Sequence, residues 1–600
     1  MARKKFRLTL KFDTILYLIL FAIIGLAIEQ PSLLNKVKPA KAPAAQGNFP
    51  TVTAYDLFFN IDLNHQLFQS RQTISLVNSN AGRKAITFLI SPDLLIDKIG
   101  FADDQGSPLP VATWSFGQPV SYTRLSGTVT LATVIVQFSS AIAPRQGLTM
   151  QLDYHLKPER FQSGAGTNFY GLFVSAQNQR AIGFDSGAFP VIESNGAAPL
   201  KISITYPDSE LCGIPGQLVA SQAAPGFVTS TYQAVRPYDP AFSCAAYKKE
   251  QNGQNGIGVE FYMTQDQTYS AEMGAAALDY FKLYRQFFGD PGLSTFRFVY
   301  VPTDIEGGGA ESKGNTVFLG KQNNVDNFDG FESNLGIQNK FKALVGHEEF
   351  HEWNAYFSAW SGDLAQWWTE GGANFMSAWV GEMLWGEAYG RALRAQYSTN
   401  YNTQMPYLFP GTLESPGNIL QGDTWKGESS LTYDYGALVW EQLHQKVGDF
   451  PLKAGVNDFI WQSSQQPGSQ GSYADFVQCL QRHTGVDVAA YLQQWITHNP
   501  RIDLSIKQVS IQPGDNKYTT EAVITVESDK DYELFTSLGY KTDTSPDWII
   551  IPLHLTGKGD HAVKFSSQER PALFQIDPDY RVPQTIYNND YWPLSGSNNP

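Results

Sequence analysis

The sequence predicts a multidomain α+β protein, and three observations predict it. At 600 residues the chain exceeds what a single hydrophobic core serves. From Thr51 to about Gln265, apolar residues fall in short β-type runs separated by turn residues. From about residue 266 to 500 the pattern becomes that of amphipathic helices, and near Pro500 it returns to alternation. The expected order is therefore an N-terminal β-rich domain over 51–265, a mainly α-helical domain over 266–500 and a C-terminal β-sandwich over 501–600.

Composition supports a folded chain, with 42% hydrophobic and 13% aromatic residues. The net charge of −14 argues against nucleic acid as a partner and is read as solubility.

The extreme N-terminus has a separate use. Arg3, Lys4, Lys5, Arg7 and Lys11 precede an apolar run from Thr14 to Ile28. A basic flank before such a run is an export signal. The run is shorter than the ~20 residues of a full membrane span, and Gly25-Leu26-Ala27 offers a small-x-small cleavage site. A cleaved signal peptide and an uncleaved membrane anchor, within residues 1–29, both fit; the anchor through residues 14–28 is preferred. Either way the bulk of the chain is expected outside the cytoplasm, in the cell envelope. Residues 30–50 are rich in Pro, Ala and Lys and read as a linker.

In the β-rich region the strand runs include 55–63, 73–77, 128–138 and 200–206. It holds no titratable cluster at catalytic spacing, so its expected role is to wall a cleft. The three cysteines, Cys212, Cys244 and Cys479, are too few for a disulfide framework or a cysteine zinc site. Cys212 and Cys244 can pair in an exported domain, or both remain free thiols.

The helical region opens near Ser270 and is interrupted by a strand-like run, 296–302, and a second, 316–319. Between them lies the glycine-rich stretch 306–312, where a ligand backbone can come close. A helix follows over about 339–357, and another from near Ser361. The polar, Gly/Pro-rich stretch 399–430 reads as a long loop, Tyr433 opens a further helix, and amphipathic stretches follow at 450–461 and 473–495.

The chemistry concentrates on His347-Glu348-Glu349-Phe350-His351, which fits H-E-x-x-H. Residues four apart on a helix lie one above the other, so both imidazoles can bind one metal ion while Glu348 reaches the water on it. Catalytic zinc takes three protein ligands and one open position. Glu370, after eighteen intervening residues, is placed to be the third ligand. One Zn²⁺ is thus expected on His347, His351 and Glu370, with Glu348 as general base. The oxyanion formed on an attacked carbonyl needs a donor, and Tyr433 is the candidate. The other seven histidines read as surface or packing residues.

This spacing resembles that of the gluzincins of the aminopeptidase-N type and their glycyl aminopeptidase relatives. Gly308-Gly309-Ala310-Glu311-Ser312 resembles the G-A-M-E-N exopeptidase motif with its glutamate kept. The resemblance implies that Glu311 binds the free α-amine of a peptide and that the strand formed by Gly308, Gly309, Ala310 and Glu311 pairs with its backbone. Tyr433-Asp434-Tyr435-Gly436 is similar to the Y-E-K-G stretch whose tyrosine stabilises the oxyanion. The resemblance also implies a saddle-shaped N-terminal β domain, a thermolysin-like catalytic domain and a small terminal sandwich. His351-Glu352-Trp353-Asn354 is closer to the glycyl aminopeptidases, and Thr369 replaces an asparagine usual in the other branch. The expectation is a zinc aminopeptidase acting on peptides with a free N-terminus. A zinc endopeptidase on the same site, or a silent peptide-binding envelope protein, are the alternatives.

Overall fold

The computed structural model describes residues 50–62, 65–79, 81–124, 127–158, 173–174, 180–182, 188–192, 198–264, 271–301, 310–320, 337–360, 364–408, 431–464, 470–496, 500–515, 517–545 and 547–593. The expected export segment, the linker and Gly308 and Gly309 lie outside these residues. Among the described residues no helix is long and apolar enough to cross a membrane.

The N-terminal region is built on an eight-stranded sheet. Its order is Gln217–Ala224, Phe227–Tyr238, Ala198–Pro207, Thr51–Asp62, Leu67–Val77, Gly147–Leu156, Leu94–Asp103 and Pro108–Leu109. Thr51–Asp62 runs parallel to Ala198–Pro207, while Leu67–Val77 pairs antiparallel to it. Alternation sends Leu57, Phe59 and Ile61 inward, where they meet Ile86, Phe88, Val134 and Val136 of a second sheet. A small third sheet sets Cys212 directly opposite Cys244, and the two form a disulfide. Cys479 is buried and free.

Beyond it lies a five-stranded sheet ordered Lys248–Gln254, Ile257–Met263, Thr295–Tyr300, Thr316–Leu319 and Ala310–Ser312. Two of its strands precede residue 265 and the others follow it. The described end of the glycine-rich stretch is a strand, Ala310–Ser312, on the sheet's edge. The hairpin turn after it supplies the partner that the short run lacks in sequence.

Helices follow: α1 Ala271–Phe288, α2 Ile337–His351, α3 Gly372–Trp385, α4 Glu387–Leu408, α5 Gly436–Val447, α6 Asp449–Ser464, α7 Tyr473–Gln481 and α8 Val488–Ile496. Two expectations are corrected here. The long loop expected from 399 is helical as far as Leu408, because Tyr397 and Tyr401 are buried on α4 and packing overrides its polar composition. The single amphipathic stretch 473–495 is two helices, α7 and α8. Ser472 caps the first with a reciprocal Ser472–Asp475 box.

The C-terminal strands form a three-stranded sheet, Ile502–Gly514, Lys517–Ser528 and Gly559–Ser567, and a four-stranded one around Glu533–Thr542. They share one apolar core with the helices, which joins Phe281 and Trp353 to Leu504, Ile524 and Leu538. Polar ties reinforce it: Gln442 Nε2 donates to Phe535 O at 2.7 Å, and Arg394 Nε to Asp579 O at 3.0 Å.

Candidate metal centre

α2 carries His347 and His351 one turn apart on a face turned toward α3 and the turn before it. Their Nε2 atoms stand 3.1 Å apart. Oε2 of Glu370 lies 3.3 Å from the first and 3.5 Å from the second. All three residues are buried. Ligand atoms held at 2.0–2.1 Å on a tetrahedral ion are separated by roughly 3.3 Å, so this triangle already has the size of one face of a zinc coordination shell. Among the described residues no other three His, Cys, Asp or Glu side chains come together in this way.

The opposite edges of both imidazoles are fixed. His347 Nδ1 lies 2.7 Å from Asn374 Oδ1, and His351 Nδ1 lies 3.1 Å from Asn354 Oδ1. The amide nitrogens of these asparagines are already committed as donors, Asn374 to Tyr433 O and Asn354 to the carbonyls of Trp368 and Thr369. Each amide oxygen therefore faces its histidine and accepts from Nδ1–H. That tautomer leaves the Nε2 lone pairs directed at the metal position.

Three π-helical turns frame the site: Glu352–Phe357 after His351, Trp367–Gly371 carrying Glu370, and Leu431–Tyr435 carrying Tyr433. Such widened turns recur at functional sites and need outside support for their carbonyls. Buried tryptophans supply it. Trp368 Nε1 donates to Asn354 O at 2.7 Å, and Trp440 Nε1 to Trp367 O at 3.2 Å. Trp367 stacks on Trp440 with ring centroids 4.9 Å apart. Gly371 lets two of the turns touch: a β-carbon there would stand 2.8 Å from Thr432 O and 3.0 Å from Gly436 Cα.

The electrostatics favour a cation. Burial opposes ionisation of Glu370, but His351 and His347 more than reverse this and hold its carboxyl far below the usual carboxylate range. Burial likewise opposes charge on His351, yet Glu370 beside it raises its pKa from 6.5 to about 9. Glu348 is buried too, and burial pushes its carboxyl up; the two histidines and the Ser312 N–H pull part of the way back. A carboxylate with raised basicity beside a metal position is suited to take a proton from water.

Comparison with solved structures yields a likeness at the level of fold. The chain is similar to the crystal structure of Legionella pneumophila aminopeptidase A in complex with aspartic acid, with a TM-score of 0.60 at 14% sequence identity. The match covers 91% of this chain and 60% of the Legionella chain, so this protein spans little more than half of that enzyme's length. No protein-family model matches the chain, and no curated protein sequence does. The β-rich and helical regions are thus arranged in an aminopeptidase-like fold.

The other expected site residues fall as follows. Tyr433 lies with its ring stacked on that of His347, centroids 5.7 Å apart and planes 14° from parallel. Ala310 and Glu311 lie on the edge strand, opposite Leu319 and Phe318. Several histidines outside the centre pair with acids, His155 with Asp97 at 2.9 Å and His483 with Asp458 at 2.7 Å. Sequence reasoning missed Asn354 and Asn374. Each stands one helical turn after a ligand, three residues past His351 and four past Glu370, and that offset was the available signal.

Proposed function

We propose that this protein is a zinc-dependent aminopeptidase, exported and tethered to the membrane through residues 14–28, that removes N-terminal residues from peptides. The observation that carries the proposal is the buried His347–His351–Glu370 triangle with Glu348 one residue along α2. A zinc ion held there would acidify a water to a pKa of about 7 and polarise the scissile carbonyl. Glu348 accepts the proton of the attacking water and returns it to the leaving amine. Asn374 and Asn354 keep both imidazoles in the ligating tautomer. Tyr433 donates to the oxyanion, and Glu311 engages the free α-amine of the substrate. The aminopeptidase-like fold and the resemblance of the 308–312 stretch support exopeptidase action.

The test is a panel of aminoacyl reporters, each paired with its N-acetylated copy, assayed before and after zinc removal and restoration. Free-amine substrates should be cleaved, acetylated copies resisted, and a chelator should abolish the cleavage until zinc is returned. Equal cleavage of the pairs would remove the Glu311 role and leave a zinc endopeptidase. Glu348→Gln should retain stoichiometric zinc and lose nearly all turnover; full activity in that variant would overturn the mechanism.

A further inference from the structure

We propose that Tyr356 is a positioning residue, whose hydroxyl anchors the edge strand Ala310–Ser312 and, through Ser312, holds Glu348 in register with the metal position. This rests on the peptidase reading above for its catalytic consequence, but the anchoring itself stands on geometry alone.

Lys313 N donates to Thr316 O at 2.8 Å across the hairpin turn, so 313 and 316 form a hydrogen-bonded pair. In an antiparallel ladder such pairs alternate with non-bonded ones. With Ser312 opposite Val317 and Glu311 opposite Phe318, the peptide groups of Glu311 face the neighbouring strand. Those of Ser312 face the open edge. The Ser312 carbonyl accepts from the Tyr356 hydroxyl there at 2.8 Å, and the Ser312 N–H, on the same open edge, is turned to the Glu348 carboxylate and favours its charged form against burial. One residue of the edge strand therefore stands between Tyr356 and the general base.

Tyr356 reaches Ser312 from the π-helical turn that follows His351. Ser358 N donates to Trp353 O at 3.1 Å, the five-residue bond of a widened turn. The turn is braced from the N-terminal β region. The Tyr238 ring meets that of Tyr356 edge to face, centroids 5.5 Å apart, and its hydroxyl donates to the Glu352 carboxylate, 3.0 and 3.1 Å from its two oxygens. Gly314, at φ +65°, lies on the same tyrosine ring, where a β-carbon would come within 2.5 Å. Tyr238 thus supports both the hairpin tip and the turn that carries Tyr356. Small errors in the placement of a base lower turnover steeply, so the loss of this anchor should appear in kcat.

Tyr356→Phe keeps the ring against Tyr238 and removes only the hydroxyl. Zinc content should remain stoichiometric and Tm should fall by no more than about 2 °C. Turnover of the best free-amine substrate should drop about tenfold in kcat with KM changed less than about twofold, whereas a merely structural tyrosine would leave the kcat-to-KM split untouched. Amide exchange across 310–319, followed by mass spectrometry, should accelerate at least about tenfold while exchange in α2 stays at the parent rate. Unchanged exchange would refute the anchor, and accelerated exchange with parental kcat would refute its positioning role. A parent protein that cleaves no peptide would refute the peptidase reading instead, and the exchange comparison would still decide the anchor.

Discussion

Nδ1 of His347 sits 2.7 Å from Oδ1 of Asn374, whose amide nitrogen in turn donates to Tyr433 O. One asparagine thereby orients a metal ligand and ties it to the turn that carries the candidate oxyanion donor. Asn354 does the parallel work for His351 while holding the carbonyls of Trp368 and Thr369, just before Glu370. Removing such a partner typically weakens metal binding by 10–100-fold. Asn374→Ala and Asn354→Ala should each raise the zinc Kd by about that factor, measured by competition with a chromogenic chelator. A parental Kd in both would show that the imidazoles need no outside orientation.

Zinc uptake should depend on pH through His351. Its pKa in the metal-free fold is raised from 6.5 to about 9 by Glu370. The raised value contributes stability that is fully present below pH 6.5 and is lost as pH rises through about 9. Zinc requires the neutral imidazole, so below that value each binding event must displace a proton. Apparent zinc affinity should climb about tenfold per pH unit from 6 to 8 and level off near 9. Calorimetry in buffers of different ionisation enthalpy should find close to one proton released at pH 7. Affinity that is flat over that interval would mean that His351 is neutral before the metal arrives.

Much of this centre was legible in the sequence because its parts obey short-range rules. His347, Glu348 and His351 are fixed by helical spacing, and Glu370 sits in a second helix-like run at a workable distance. What was not legible depends on widened turns and on edges. No local pattern distinguishes the π-helical turn at Glu352–Phe357 from a continued α-helix, yet that turn decides where Tyr356 points. The pairing of Cys212 with Cys244 follows from two short strands brought into register across thirty-two residues, a relation that alternation within either strand does not encode. The helix through Leu408 was hidden because Thr399, Asn400, Asn402 and Thr403 give its last turns a polar composition, whereas what holds it is the packing of Tyr397 and Tyr401, which are buried.

Tyr433 stacks on His347 and so lies beside the metal position, in a turn separate from those of the ligands. If its hydroxyl stabilises the oxyanion, Tyr433→Phe should keep the stacking and zinc affinity and lose about a hundredfold in kcat. A loss below about threefold would assign the ring to packing against the histidine.

The contact between Gly371 and Thr432 makes a prediction about geometry alone. The glycine follows the third ligand and rests on the turn of Tyr433, with no room for a methyl group against backbone atoms. Gly371→Ala must part the two turns, and forced overpacking of this kind costs about 1–3 kcal/mol. The variant should show a lowered Tm, weaker zinc binding and reduced kcat together. Parental values for all three would mean that the turns can separate freely.

Asp590 tests the electrostatics of the C-terminal sheets. Burial, together with Asp577 and Asp503 nearby, pushes its carboxyl from 3.8 up to about 9, and burial raises Asp577 from 3.8 to about 6. Gln584 Nε2 donates to both Asp577 and Asp590, but Oδ1 of Asp590 is buried without a donor among the described residues. The fold therefore prefers the neutral acid. A raised acid pKa means that stability is fullest below about pH 4 and declines as pH rises toward 9, because unfolding releases the proton. Asp590→Asn removes the ionisation and places an amide N–H₂ among the neighbouring carboxylates. Its Tm should exceed that of the parent by about 2 °C or more at pH 8 and should match it near pH 4.5. An equal shift at both pH values would show that packing, not charge, distinguishes the two side chains at this position.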